Sequence, residues 1–238
     1  MLRTPDPAPS VPPKAVLLDS GGVLMQPIGG RWNPRADFER TVLSRDPQIT
    51  AEQFAQAIAL GDRFMATAES TPDLDKYHAV MLEHLGIPAS ADLLAELVRP
   101  VPADVVLEIF DEVIDTLKTL QARGVRMAVV SDAWPNLPQL HADLGIHEFF
   151  EAYAISAVLG CRKPDPRMYR HASDALGLTP ADCLFVDDSP ELVAAALDLG
   201  YQARWMDRTG TRSQHPDSAA LAPISSLTEL IELFPDAP

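Results

Sequence analysis

The run Cys183-Leu184-Phe185-Val186 is apolar without a break, and it closes on Asp187-Asp188-Ser189-Pro190. A short run of this kind, in a chain that alternates strand and helix, reads as a strand of a parallel sheet covered on both faces. Ser189 is a helix N-cap residue, and Pro190 opens a helix. The segment is therefore a strand, a tight turn bearing two carboxylates, and a helix start. Open α/β sheets gather their ligands at such strand ends. Neighbouring carboxylates shielded from water repel each other unless a cation neutralises them. The pair reads as half of a Mg²⁺ site, and the other half is expected to be an acid at another strand end.

Asp19 is that acid. It follows the run Lys14-Ala15-Val16-Leu17-Leu18 and precedes Ser20-Gly21-Gly22-Val23-Leu24. The two glycines allow a sharp turn and a close approach of the backbone to a ligand. A third run, Val125 to Val130, ends at Ser131-Asp132, and Lys163-Pro164-Asp165-Pro166 lies between it and the acid pair.

Past Leu24 the strand signals stop, and helical patterns take over. Apolar residues recur at helical spacing from Arg35 to Arg45, and Thr50 with Gln53 makes a capping box for a helix to about Ala68. Two more helices are expected over Asp73–Leu85 and Ser90–Val98. Residues 31–105 thus form an all-helical insertion, a cap. From Phe110 helix and strand alternate. Helices are expected at Glu112–Arg123, at Asn136–Leu144, after Asp165-Pro166 and after Ser189-Pro190. Strands are expected to end at Val130, Ser156, Asp187 and Met206, and Ser226 with Glu229 caps a last helix. Alternation of this kind makes a doubly wound, Rossmann-like parallel sheet with helices on both faces, an α/β core built from residues 14–30 and 106–238. Residues 1–13, with five prolines and no apolar stretch, read as a disordered leader.

Lysine and arginine number 19 against 34 acids, a net charge of −15. This disfavours nucleic acid or an anionic membrane as a partner, and it means that an anionic substrate needs a local positive site. No apolar run approaches the roughly 20 residues that span a bilayer, so no membrane partner and a cytoplasmic location are expected. Cys161 and Cys183 provide no disulfide framework. The six histidines show no metal-ligand spacing and read as structural or solvated. Monomer and homodimer both remain open.

The four segments, in their order, resemble the haloacid dehalogenase superfamily. The motifs are Asp19 to Leu24, Ser131, Lys163 and Asp187-Asp188, and the likeness covers about two-thirds of the chain. It implies a helical cap inserted after the first motif. It implies Asp19 as nucleophile, forming an aspartyl-phosphate that water later hydrolyses. Mg²⁺ would be held by Asp19, the Gly21 carbonyl, Asp188 and, directly or through water, Asp187. Ser131 and the backbone amides of Ser20, Gly21 and Gly22 would bind phosphate oxygens, and Lys163 would supply charge. Asp132 is a candidate to orient Lys163 or bind substrate. Arg31, Trp32 and Trp134 are candidates to line the pocket.

One position departs from the phosphatase pattern. The second aspartate, which protonates the leaving group, is here Gly21. Acid–base assistance is typically worth about 10²–10⁴-fold. Three readings follow: a Mg²⁺-dependent phosphomonoester hydrolase for a small phosphorylated metabolite, a sugar phosphate among the candidates; a metal-independent 2-haloacid dehalogenase; or a phosphate-ligand-binding member without turnover. The adjacent acids favour the first, since a metal-free site has no use for both.

Overall fold

The computed structural model describes residues 12–210 and 219–234. All but the last two residues of the expected leader lie outside that range. By contacts the chain divides into two units, Met1–Gln26 with Ile109–Pro238, and Pro27–Glu108.

The first unit is built on a five-stranded sheet. Its strands are β1 (Ala15–Leu18), β4 (Arg126–Ser131), β5 (Ala152–Ile155), β6 (Cys183–Asp187) and β7 (Gln202–Trp205). They run β5-β4-β1-β6-β7, and every pairing is parallel. β1 and β6 are buried along their whole length, as strands covered on both faces must be. Leu18 lies opposite Val186, and Asp19 extends that ladder by donating its amide to the Val186 carbonyl at 2.9 Å. From β1 the chain moves outward through β4 to β5, then returns to place β6 on the other flank of β1. That reversal makes a topological switch point at the carboxyl ends of β1 and β6, where doubly wound sheets bind ligands.

Between the strands run α6 (Val113–Ala122), α7 (Leu137–Asp143), α8 (Ser156–Leu159), α9 (Pro166–Ala175) and α10 (Pro190–Asp198). The two expected proline starts are in place, with Pro166 and Pro190 each in the first turn. Tyr169 of α9 packs edge-on against Phe185 of β6, ring centroids 5.0 Å apart, in one of the core clusters. The last expected helix, over Leu227–Leu233, is 3₁₀ rather than α, though its Ser226–Glu229 box forms. Pro235 follows in sequence and steers Phe234 away from helical backbone, so the segment stays short and tight.

The second unit is helical: α1 (Phe38–Leu43), α2 (Ala51–Thr67), α3 (Leu74–His84), α4 (Ala91–Leu97) and α5 (Ala103–Val106). The Thr50–Gln53 box starts α2. Phe38, Phe54, Ile58, Tyr77, Met81, Leu82 and Leu93 form its own core. Gly61 is needed where α2 meets α3, since a methyl there would sit 2.9 Å from the Tyr77 ring. A short ribbon, β2 (Met25–Pro27) paired with β3 (Leu107–Ile109), stands at the two junctions of the insertion. It moves the boundaries outward from 31 and 105 to 27 and 108. Strands of three residues are too short for alternation to reveal, and no strand was expected there.

Candidate active site

Asp19 leaves the end of β1 and Asp187 the end of β6, so the register of two parallel strands sets them side by side. Asp188 follows in the turn to α10. Each of the three acids offers a carboxylate oxygen within 4.8 Å of the other two. Asp19 and Asp187 are buried and Asp188 is exposed. Oxygens this near one another can converge on a single divalent cation.

Lys163 reaches this cluster from the loop before α9. Its Nζ lies 2.7 Å from Asp187 Oδ2 and 3.0 Å from Asp19 Oδ1, and its side chain is only 2% exposed. The two contacts differ in kind. The ammonium donates a hydrogen bond to Asp187, whereas Asp19 Oδ1 is close in charge terms but has no hydrogen-bond partner. Asp187 is the better tethered acid, because its Oδ1 also accepts from the Ser189 amide at 2.8 Å. Its bonds hold Lys163 and the start of α10 in place. Asp19 Oδ1 is paired with Lys163 by charge, with no hydrogen bond to it among the described residues.

The acids are stressed electrostatically. Three carboxylates share one buried ammonium, which leaves two negative charges, the amount one divalent cation offsets. Burial raises the Asp187 carboxyl well above the usual carboxylate range, and the charge of Asp19 adds to this. Though Asp188 is exposed as a residue, its carboxyl lies against Gly22 and is pushed up to about 6, first by loss of water there and then by Asp19. Lys163 is held above its ordinary value: burial opposes its charge, but Asp187 and Asp19 outweigh that. The donor set is all oxygen, which suits Mg²⁺. Among the described residues Asp19, Asp187 and Asp188 form the cluster of acids able to share a cation.

The turn after Asp19 is fixed by its own backbone. Ser20 O accepts from the Leu24 and Met25 amides, and the Gly22 amide donates to Met25 O at 2.9 Å. The Gly22 amide is therefore already committed, which removes it from the expected phosphate donors; Ser20 and Gly21 keep theirs outside this pairing. Gly22 has φ +72°, and a methyl there would lie 2.1 Å from Asp188 Oδ2. Glycine is needed so that the turn can pass beside Asp188. Arg208 pins the same turn, donating to Gly22 O at 3.1 Å and Val23 O at 2.7 Å while pairing with Glu112 at 2.7 Å. Its guanidinium lies over the Phe110 ring. Trp205 Nε1 donates to the Asp188 carbonyl at 3.0 Å. Neither Arg208 nor Trp205 carried a signal in the sequence, since both act across more than 15 residues on backbone carbonyls.

Ser131 is the buried last residue of β4, the strand beside β1. Asp132 accepts from the Lys163 amide at 3.1 Å and lies 3.7 Å from Arg162 Nε. It thus ties the end of β4 to the loop that carries Lys163. Trp134 lies half-buried just before α7. Arg31 and Trp32 are exposed residues of the helical unit, and Arg31 lines a recess there with Ile28, Phe38 and Ile58. His141, which the sequence placed among the structural or solvated histidines, is fully buried with its Nε2 2.8 Å from Ser20 Oγ.

A family model for haloacid dehalogenase-like hydrolases matches residues 13–200. The (S)-2-haloacid dehalogenase of Pseudomonas sp. (strain YL) is 26% identical over 232 residues, covering 94% of this chain and 95% of that protein. A sesquiterpene phosphatase of Aspergillus oryzae is 27% identical over 190 residues, covering 79% of this chain and 86% of its own. Among solved structures, a phosphatase of the same family from Thermococcus onnurineus has a TM-score of 0.62 at 20% identity, over 94% of this chain and 98% of that one. Its likeness speaks for the fold. The relatives thus include both carbon–halogen and phosphoester hydrolases.

Proposed function

We propose that this chain, which belongs to the haloacid dehalogenase-like hydrolases, is a Mg²⁺-dependent phosphomonoester hydrolase acting on a small phosphorylated metabolite through an aspartyl-phosphate. The observation that carries the reading is the convergence of Asp19, Asp187 and Asp188 within 4.8 Å around one lysine. Asp19 attacks phosphorus with a carboxylate oxygen and the ester P–O bond breaks; the departing alcohol oxygen takes its proton from solvent, since Gly21 offers none. Lys163, held by Asp187, keeps positive charge beside the transferring group. The free amides of Ser20 and Gly21 and the hydroxyl of Ser131 receive the phosphoryl oxygens. Bound Mg²⁺, held by Asp19, Asp188 and the Gly21 carbonyl, would offset repulsion between nucleophile and substrate. Water then attacks the phosphorus of the aspartyl-phosphate and restores Asp19.

A dehalogenase uses the same nucleophile on carbon, and the Pseudomonas relative keeps that reading alive. Asp188 argues against it. Pressed against two other acids, and with no ion pair of its own among the described residues, Asp188 adds net repulsion to a metal-free site for an anionic haloacid.

The test is phosphate release from a panel of phosphorylated metabolites and from p-nitrophenyl phosphate. The expected result is turnover with Mg²⁺, none with EDTA, and none in Asp19→Asn. Acid-stable trapping of label on Asp19 from a ³²P substrate identifies the intermediate. Absence of phosphate release across the panel, with halide released from a 2-haloacid, overturns the proposal.

A further inference from the structure

His141 is a polar ring in an apolar place. It is fully buried on α7, beside the rings of Phe150 and Tyr153 at centroid distances of 5.6 and 5.5 Å. Burying an imidazole costs free energy unless both nitrogens are satisfied. Here both are: Nε2 meets Ser20 Oγ at 2.8 Å, and Nδ1 meets the Tyr153 hydroxyl at 3.1 Å. Tyr153 in turn meets His147 Nδ1 at 3.1 Å, at the surface. Burial keeps His141 neutral, its pKa pushed down to about 3. A neutral imidazole donates through one nitrogen and accepts through the other, so the chain from Ser20 to His147 runs in one direction.

The inner end of this chain is the residue after the nucleophile. Asp19 N is fixed to Val186 O, and Ser20 O is fixed to the amides of Leu24 and Met25. The Ser20 side chain is fixed by His141. Among the described residues these contacts leave both groups of the Asp19–Ser20 peptide, the Asp19 carbonyl and the Ser20 N–H, without a backbone partner, so its orientation depends on what holds Ser20. We propose that His141 is a positioning residue that sets this peptide through its hydrogen bond to Ser20 Oγ, aiming the Ser20 N–H at the group Asp19 attacks. The inference rests on Asp19 as nucleophile, and it holds for attack on phosphorus or on carbon.

The test combines His141→Leu, His141→Gln, His141→Asn, Ser20→Ala and the Ser20→Ala/His141→Leu double variant. Gln can keep an amide near the place of Nε2, whereas Asn keeps one only near Nδ1. Turnover of p-nitrophenyl phosphate with Mg²⁺ is read as kcat and KM, and the Ser20 amide is followed by ¹H–¹⁵N NMR. His141→Leu and Ser20→Ala should each lower kcat about 10- to 100-fold, the range for a misplaced reacting group, with KM changed far less. The double variant should be no slower than the worse single, His141→Gln should recover most of the rate, and His141→Asn should not. The Ser20 amide resonance should shift in His141→Leu and return in His141→Gln. Multiplying effects in the double variant, equal rescue by Asn and Gln, or an unmoved Ser20 resonance overturns the proposal. If His141→Leu fails to fold, Ser20→Ala removes the same bond without a cavity, and an unchanged kcat there overturns it equally. If p-nitrophenyl phosphate is not turned over, the phosphatase reading fails separately, and the Ser20 resonance alone decides the role of His141.

Discussion

Lys163 shows how one side chain can carry both stability and chemistry. Its ammonium is the positive partner of two buried carboxylates. Lys163→Met leaves both without it, and removing one partner of a buried pair typically costs about 3–5 kcal/mol. Urea unfolding at pH 7 should show a loss of that order. The loss should shrink toward pH 5, because the raised Asp187 carboxyl can take up a proton there. A loss independent of pH would mean that the lysine matters for packing and not for charge. Gly21 belongs to the same scale. With no carboxyl at that position, leaving groups must depart largely unprotonated, so rates on aryl phosphates should fall steeply as the phenol becomes less acidic. Gly21→Asp should flatten that slope and speed the poorest leaving groups, within the roughly 10²–10⁴-fold range of acid catalysis. A flat slope in the wild type would show that another residue already donates the proton.

At the scale of elements, the candidate site is three strand ends, one loop and one turn. The strand ends were legible because continuous apolar runs stop abruptly at Asp19, Ser131 and Asp187, and the helix starts because Ser189-Pro190 and Asp165-Pro166 have few other uses. What sequence could not reveal is contact at a distance: Arg208 on the Gly22 and Val23 carbonyls, Trp205 on the Asp188 carbonyl and His141 on Ser20. Each bond depends on how strands are ordered, and no local periodicity encodes that. The prior commitment of the Gly22 amide was invisible for the same reason, since its partner is the unforeseen strand β2. The turn itself predicts a phenotype. Gly22→Ala puts a side chain at φ +72° and against Asp188. Left-handed backbone alone costs roughly 1–2 kcal/mol, and the Asp188 carboxylate must move aside. The variant should need several-fold more Mg²⁺ for half-maximal activity, while wild-type Mg²⁺ dependence would place Asp188 outside the metal site.

For the molecule as a whole, the crowded acids make stability depend on pH and on metal together. The Asp187 and Asp188 carboxyls are raised on folding, so the folded state binds protons more tightly than the unfolded one. Their contribution to stability is fully present below the unfolded carboxylate value and is lost as pH rises through the folded one, near 6 for Asp188. His141 and His78 pull the other way. Burial lowers them to about 3 and about 4, so the protein loses stability as pH falls from the ordinary histidine value toward those figures. Metal acts only on the first set. Saturating Mg²⁺ should therefore raise Tm at pH 7.5, with an increment that shrinks below pH 6, where protons compete for the same oxygens. An increment that is the same at pH 5 and pH 7.5 would place the bound ion elsewhere.

Phosphoryl transfer and carbon–halogen cleavage make opposite demands on these carboxylates, because only the first needs a bound cation. The most direct measurement is made on one purified sample, with and without EDTA. Inorganic phosphate released from p-nitrophenyl phosphate is quantified beside chloride released from 2-chloropropionate. The expected result is phosphate release that EDTA abolishes and Mg²⁺ restores, with no chloride. Chloride release indifferent to EDTA, with no phosphate under either condition, would contradict it.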